Sequence, residues 1–184
     1  NEMSKVMPSL NNISWERVEK EDSVTYPCDD KNLPGNEIVF SQNFPTSSGL
    51  AKIVPTDLIS PHELPDQSFP FVLTTGRLLE HWHTGAMTRR SNTLDNIEPE
   101  AIVNMNRLDM KNLKLEPGNK VQVKTRRGSI ELSVRQDTEL PKGMIFIPFC
   151  FSEAAANKLT NPQLDPFGKI PEFKYCAANI CLLY

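Results

Sequence analysis

The chain has 184 residues, 39% of them apolar and 23% charged, which suits one domain, or one domain with a long appendage. Its 20 basic and 23 acidic side chains give a formal net charge of −3, excluding an overall basic nucleic-acid binder. No apolar run approaches the roughly 18 residues needed to cross a bilayer, no secretory signal pattern opens the chain, and Cys28, Cys150, Cys176 and Cys181 are too few and too irregular for a disulfide scaffold.

The charge is unevenly spread. Residues 1–70 hold 5 basic and 11 acidic side chains and 8 of the 15 prolines. Each proline removes a backbone donor and restricts its predecessor, so regular elements there are expected to be short. This part reads as an extended, loop-rich wrapping segment with one short helix around Trp15–Val18. Trp15, Tyr26 and Phe44 are its candidate anchors, either onto the later domain or onto a missing partner. We divide the chain into a lead-in segment, 1–65, and a compact domain, 66–184.

The compact part opens with a strand at Phe71–Thr75, where Phe71, Leu73 and Thr75 share one face and apolar residues on both faces predict an interior position. Gly76 ends it. A second strand is expected over 101–105. Asn106 is placed to cap a short helix, with Asp109 at the third helical position in a weak capping arrangement, and Glu116-Pro117-Gly118 is a turn. Val121, Val123 and Thr125 then alternate with polar residues, as do Ile130, Leu132 and Val134 after Gly128. Two period-two runs around a glycine-containing turn predict a β-hairpin with one buried face. A strand over Met144–Phe149, buried on both faces, follows the turn at 139–143. Ser152 is then expected to cap a helix from Glu153 to Leu159, favoured by three consecutive alanines. The whole reads as mainly β with short helices, closer to a compact barrel than to a doubly wound sheet.

The chemistry concentrates in TTGRLLEHWHTGAMTRR, residues 74–90, which holds two of the three histidines, three arginines, four threonines and two glycines. Hydroxyls and free backbone N–H groups after a strand, with Arg77, Arg89 and Arg90, suit a phosphate or pyrophosphate, and the glycines permit close approach of such a ligand. His81 and His83 are two apart and share a face if the stretch is extended. The bland alternatives are solvated arginines, including Arg126 and Arg127 in the hairpin turn, and Trp82 as a packing residue. A metal site at His81 and His83 is poorly supported, since Glu80 points to the opposite face and no cysteine is near. Cys150 between Phe149 and Phe151 reads as a small buried hydrophobe. Asn157 serves equally as a ligand-directed amide or a helix cap, and Lys174 reads as a solvated cation. Neither a P-loop nor a dinucleotide fingerprint is present, and no nucleophile signature is recognisable.

Four segments occurring in order, 74–90, IEPEAIVNMN (97–106), FIPFCFSEAAANKLTN (146–161) and LDPFGKIPEFKYCAANI (164–180), resemble the C-terminal molybdopterin-dinucleotide-binding domain of molybdenum- or tungsten-dependent oxidoreductases, in particular that of formate dehydrogenase catalytic alpha subunits. The lead-in with Trp15 and Tyr26-Pro27-Cys28 resembles the stretch before that domain. The resemblance implies a six-stranded double-psi β-barrel enclosing a bis(molybdopterin guanine dinucleotide) cofactor carrying Mo or W. It implies cofactor contacts at Thr75, Gly76, Arg77, His81, His83, Thr84, Gly85, Met87, Thr88, Arg90, Asn157 and Lys174. In the isolated chain, Arg77, Arg89 and Arg90 are expected to line an open cleft. The enzyme so implied interconverts formate and carbon dioxide and passes electrons to iron–sulfur subunits. Metal-coordinating, substrate and cluster residues lie upstream in the family, so this chain is expected not to be catalytic alone and not to carry the loaded cofactor by itself. Its implied partners are the remaining domains of the catalytic subunit and the electron-transfer subunits, with no nucleic acid and no transmembrane segment. A cytoplasmic setting is expected, with a periplasmic one open for the parent enzyme. Equivalent domains of other molybdopterin enzymes, such as nitrate reductases, and a non-enzymatic protein-interaction barrel are the competing readings.

Overall fold

The structure, a computed structural model, describes residues 2–183, and the chain divides into two compact units after Leu58. In the first unit, α1 (Glu2–Val6) and α2 (Trp15–Glu21) are joined by turns. Ser14 caps α2 by accepting a hydrogen bond from the Arg17 N–H at 3.1 Å, so the helix expected at Trp15–Val18 is present and one turn longer. Arg17 donates to the Glu21 carboxylate, to Asn12 O at 2.9 Å and to Cys28 Sγ at 3.3 Å. Among the described residues, Cys28 is the one buried apolar side chain of this unit, while Trp15, Tyr26 and Phe44 are exposed. A segment with so small an apolar interior is held by polar contacts rather than by a core.

The second unit is a closed barrel of six strands: β1 (Phe71–Gly76), β2 (Ile102–Met105), β3 (Lys120–Lys124), β4 (Ser129–Gln136), β5 (Met144–Pro148) and β6 (Cys176–Leu182). Around the barrel the order is β1-β5-β2-β4-β3-β6, closing back onto β1. β1 runs parallel to β5 and β2 parallel to β4; the other four pairings are antiparallel. The predicted hairpin is β3–β4, with Val121 opposite Leu132 and Val123 opposite Ile130. These four side chains are buried with Leu73, Val103, Met105, Ile145 and Ile147, so the alternation seen in the sequence becomes the barrel interior. Burying each such side chain contributes about 1.5–3 kcal/mol. The burial expected on both faces of β5 is met on one: Ile145, Ile147 and Pro148 are buried, Met144 and Phe146 half-buried.

Two helices decorate the barrel, α3 (Asn92–Ile97) and α4 (Arg107–Asn112). Asn106 caps α4 as expected, accepting from Leu108 N at 2.8 Å. Asp109 does not close a capping box. It is buried and accepts from Gly143 N at 2.6 Å, tying α4 to the turn before β5. The helix expected from Glu153 to Leu159 is absent. Only a 3₁₀ turn forms, Ala156–Lys158, and Ser152 hydrogen-bonds Glu153 instead of capping. Tertiary demand overrides alanine propensity here: Ala154, Ala156 and Leu159 are all buried, and the Leu159 carbonyl accepts from Thr125 Oγ1 at 2.9 Å and from the Arg127 guanidinium.

Candidate functional site

The end of β1 is fixed from below. Thr75 Oγ1 donates to Phe173 O at 2.9 Å, and the Lys174 ammonium donates to Thr75 O, so the two segments are laced together. Gly76 lies flat against Phe146; a Cβ there would stand 2.5 Å from the ring, a distance no side chain tolerates. The chain then leaves the barrel and exposes Arg77, whose Nη2 lies 3.0 Å from His83 Nε2. Guanidinium only donates, so in this contact the His83 nitrogen is the acceptor. His83 adopts a left-handed φ of 52°, and neither its N–H nor that of Thr84 meets a protein acceptor among the described residues. Gly85, at φ 74°, packs so closely that a Cβ would lie 2.6 Å from Cys150 O.

Facing this turn is the loop after β5. Together they enclose a cleft of about 1070 Å³ with Thr75, Arg77, His83, Thr84, Asn157 and Lys174 on its walls. Those are six of the twelve residues implied by the resemblance. The aromatic rings of Phe149, Phe151 and Phe173 form its apolar lining, and Asn161 adds a buried amide. Arg77 and Lys174 supply positive charge, the hydroxyls and amides supply hydrogen-bonding groups, and the rings supply flat apolar surface. Such a donor set fits a ligand with phosphates and an aromatic base.

The other six sit differently. Gly76 and Gly85 are buried supports that let backbone segments meet. Thr88 accepts from Trp82 N at 2.9 Å and shapes the loop. Met87 and Arg90 are exposed and do not line the cleft, which departs from the expected open row of arginines. His81 is fully buried: Nε2 lies 2.8 Å from Glu98 O, the ring meets Phe151 edge-on at 5.8 Å, and Nδ1 has no partner among the described residues. Hence His81 and His83 do not share a face, because the stretch between them is turned rather than extended. Trp82, expected to pack, is exposed.

Arg89 also differs from expectation. Its Nε bonds Asp95 at 2.6 Å, its Nη1 bonds Glu153 at 2.8 Å, and its guanidinium lies 4.7 Å from the Phe151 ring centre. It is a strut joining α3 to the cleft loop rather than a free cation. Burial pushes the Glu153 carboxyl up, but its backbone hydrogen bond and Arg89 outweigh that and leave it below the ordinary range. Arg126 and Arg127, read as solvated, instead pair with Glu63 and Asp66. Their acidic partners lie some sixty residues earlier, where no local pattern reveals them. The F-C-F spacing around Cys150 was the signal for the aromatic wall, visible only as apolar density. Cys150 itself is buried as expected.

Among the described residues no group of three or more His, Cys, Asp or Glu side chains is placed to hold a metal ion, and no helix is long and apolar enough to cross a membrane. Residues 71–177 match the family model described as "Molydopterin dinucleotide binding domain", a span that takes in β1 to β5, the first two residues of β6 and every residue lining the cleft. The chain therefore belongs to the molybdopterin-dinucleotide-binding domain family. It is 43% identical over 180 residues to the F420-dependent formate dehydrogenase subunit alpha of Methanocaldococcus jannaschii, covering 98% of this chain and 27% of that relative. An F420-dependent formate dehydrogenase 1 subunit alpha of Methanococcus maripaludis is 38% identical over 179 residues, covering 97% of this chain and 26% of the relative. The chain thus spans about a quarter of the length of these homologous subunits. Acetylene hydratase from Pelobacter acetylenicus shares the fold, with a TM-score of 0.55 and 20% identity over 61% of this chain and 18% of that one.

Proposed function

We propose that the cleft encloses the nucleotide-bearing end of a bis(molybdopterin guanine dinucleotide) cofactor, with Mo or W, within a formate dehydrogenase catalytic subunit that interconverts formate and carbon dioxide. One observation carries this reading: Arg77 and Lys174 converge with amide and hydroxyl groups on an aromatic-walled cleft inside the family-matched span. The names of the homologous subunits support formate as substrate. When bound, the cofactor supplies the two-electron redox chemistry. This chain's residues bind, orient and exclude water. Arg77 and Lys174 neutralise phosphate oxygens, the His83 and Thr84 N–H groups donate to them, and Asn157 directs an amide at the ligand. Gly76 and Gly85 allow close approach, while His81, Thr88, Met87 and Arg90 set the shape of the wall from behind and outside the cleft.

In this reading residues 66–184 are the cofactor-binding barrel and 1–65 the lead-in that runs over other domains. The remaining domains of the subunit supply the catalytic residues, and iron–sulfur subunits take the electrons. All four cysteines are free thiols, which favours a cytoplasmic setting. The test is titration of the chain with GDP, followed by amide NMR shifts. Shifts concentrated at Thr75–Thr84 and Asn157 are expected, with Arg77→Ala weakening binding about tenfold or more, in line with a charged hydrogen bond of about 1.5–3 kcal/mol. A folded spectrum with no shifts at the cleft up to millimolar GDP would count against the reading.

A further inference from the structure

The cleft contains a second asparagine whose environment differs from that of Asn157. Asn157 is exposed on its 3₁₀ turn, whereas Asn161 is 4% exposed and still lines the cleft. Every atom but one of the Asn161 amide is committed. Oδ1 accepts from Gln163 N at 2.8 Å, and Nδ2 donates to Glu172 Oε2 at 2.7 Å. That leaves a single N–H, which meets no protein acceptor among the described residues. A buried donor of this kind needs a partner.

The orientation of the amide is enforced. Its oxygen is identified by the Gln163 N–H and its nitrogen by the Glu172 carboxylate, so the group cannot flip without placing like against like. Glu172 is itself fixed: its N–H donates to Gln163 O at 2.9 Å, and its carboxylate accepts from His62 N at 3.1 Å. The next two residues, Phe173 and Lys174, are those that lace onto Thr75. Glu172 therefore registers the amide of Asn161 against the cation of Lys174 across the cleft.

Resting on the cofactor reading above, we propose that Asn161 is a specificity-determining donor of the cleft, presenting one N–H to an acceptor oxygen of the ligand, and that Glu172 is the residue that positions it. The shared ligand chemistry is a hydrogen-bond acceptor, either a purine carbonyl or a phosphate oxygen.

The test uses the full chain and follows the Asn161 side-chain NH₂ resonances while GDP or ADP is added. Saturation is expected to move one of the two Asn161 protons, and Asn161→Ala is expected to weaken GDP about tenfold. An equal loss for ADP assigns the acceptor to the diphosphate, and a loss for GDP alone assigns it to the base carbonyl; both support the proposal. Because Asn161→Asp alone sets two carboxylates against each other, it is paired with Glu172→Gln. The double variant restores a reversed hydrogen bond and is expected to regain the native Tm, yet to bind GDP at least tenfold more weakly. A double variant that folds and binds as the native chain does would overturn the proposal. So would GDP shifts at Arg77, His83 and Thr84 that leave the Asn161 NH₂ unmoved, and in that case the cofactor reading stands. No shifts anywhere in the cleft would sink both.

Discussion

Burial pushes the Cys150 thiol up to about 11 from an ordinary 9.0, because the residue is packed into the apolar core, where a thiolate is poorly solvated. A raised folded-state value contributes stability that is complete below pH 9 and is lost as the pH rises towards 11. The native chain is therefore expected to lose roughly 2 kcal/mol more than Cys150→Ala over that interval, read from urea midpoints at each pH. At neutral pH the exposed Cys181 is expected to react with an alkylating reagent while Cys28, Cys150 and Cys176 react only after unfolding. Gly85 is a second point where one atom matters. Gly85→Ala places a Cβ against a backbone oxygen in a left-handed conformation, and a destabilisation of about 2–4 kcal/mol is expected from calorimetry.

At the level of elements, Arg89 is the joint between α3 and the loop that walls the cleft. Arg89→Met keeps the apolar stem but removes both ion pairs and the contact with Phe151. Because the ion pairs are partly exposed, the expected cost is about 1–2 kcal/mol, with faster amide exchange in 92–97 as the sign that α3 has loosened. The elements also separate what a linear reading resolves from what it does not. The β3–β4 hairpin was legible because Val121, Val123, Ile130 and Leu132 alternate with polar residues over a span that pairs with itself. The missing 153–159 helix was not, because the Leu159 carbonyl is taken by Thr125 and Arg127, more than thirty residues away. The site divides on the same line. Arg77 and Thr84 stood out by local composition, whereas the pairing of Arg89 with Glu153, the burial of His81 and the locking of Asn161 by Glu172 depend on contacts that no spacing reveals.

For the molecule as a whole, the two units differ in what holds them. The first contains one buried apolar side chain among the described residues and is organised around Arg17 and the capped α2. The second contains all six strands and the contiguous apolar core. A fragment beginning at Ile59 is accordingly expected to fold by itself, giving a single sigmoidal urea transition by both near-ultraviolet dichroism and fluorescence. Broad, non-coincident transitions would show that the barrel depends on the preceding residues.

The strand order has a further consequence for how the chain is made. β6 pairs with β1 on one side and β3 on the other, setting Leu73 beside Cys176. On a ribosome, β1 through β5 emerge while the place of β6 is still vacant. During that interval two sheet edges face solvent with unmet N–H and C=O groups, the state most exposed to strand-to-strand aggregation. The barrel seals only when residues 176–182 have cleared the exit tunnel. A stalled or prematurely terminated chain lacking them would be a client for chaperones, since most of its cleft-forming sequence would be present but its sheet could not close.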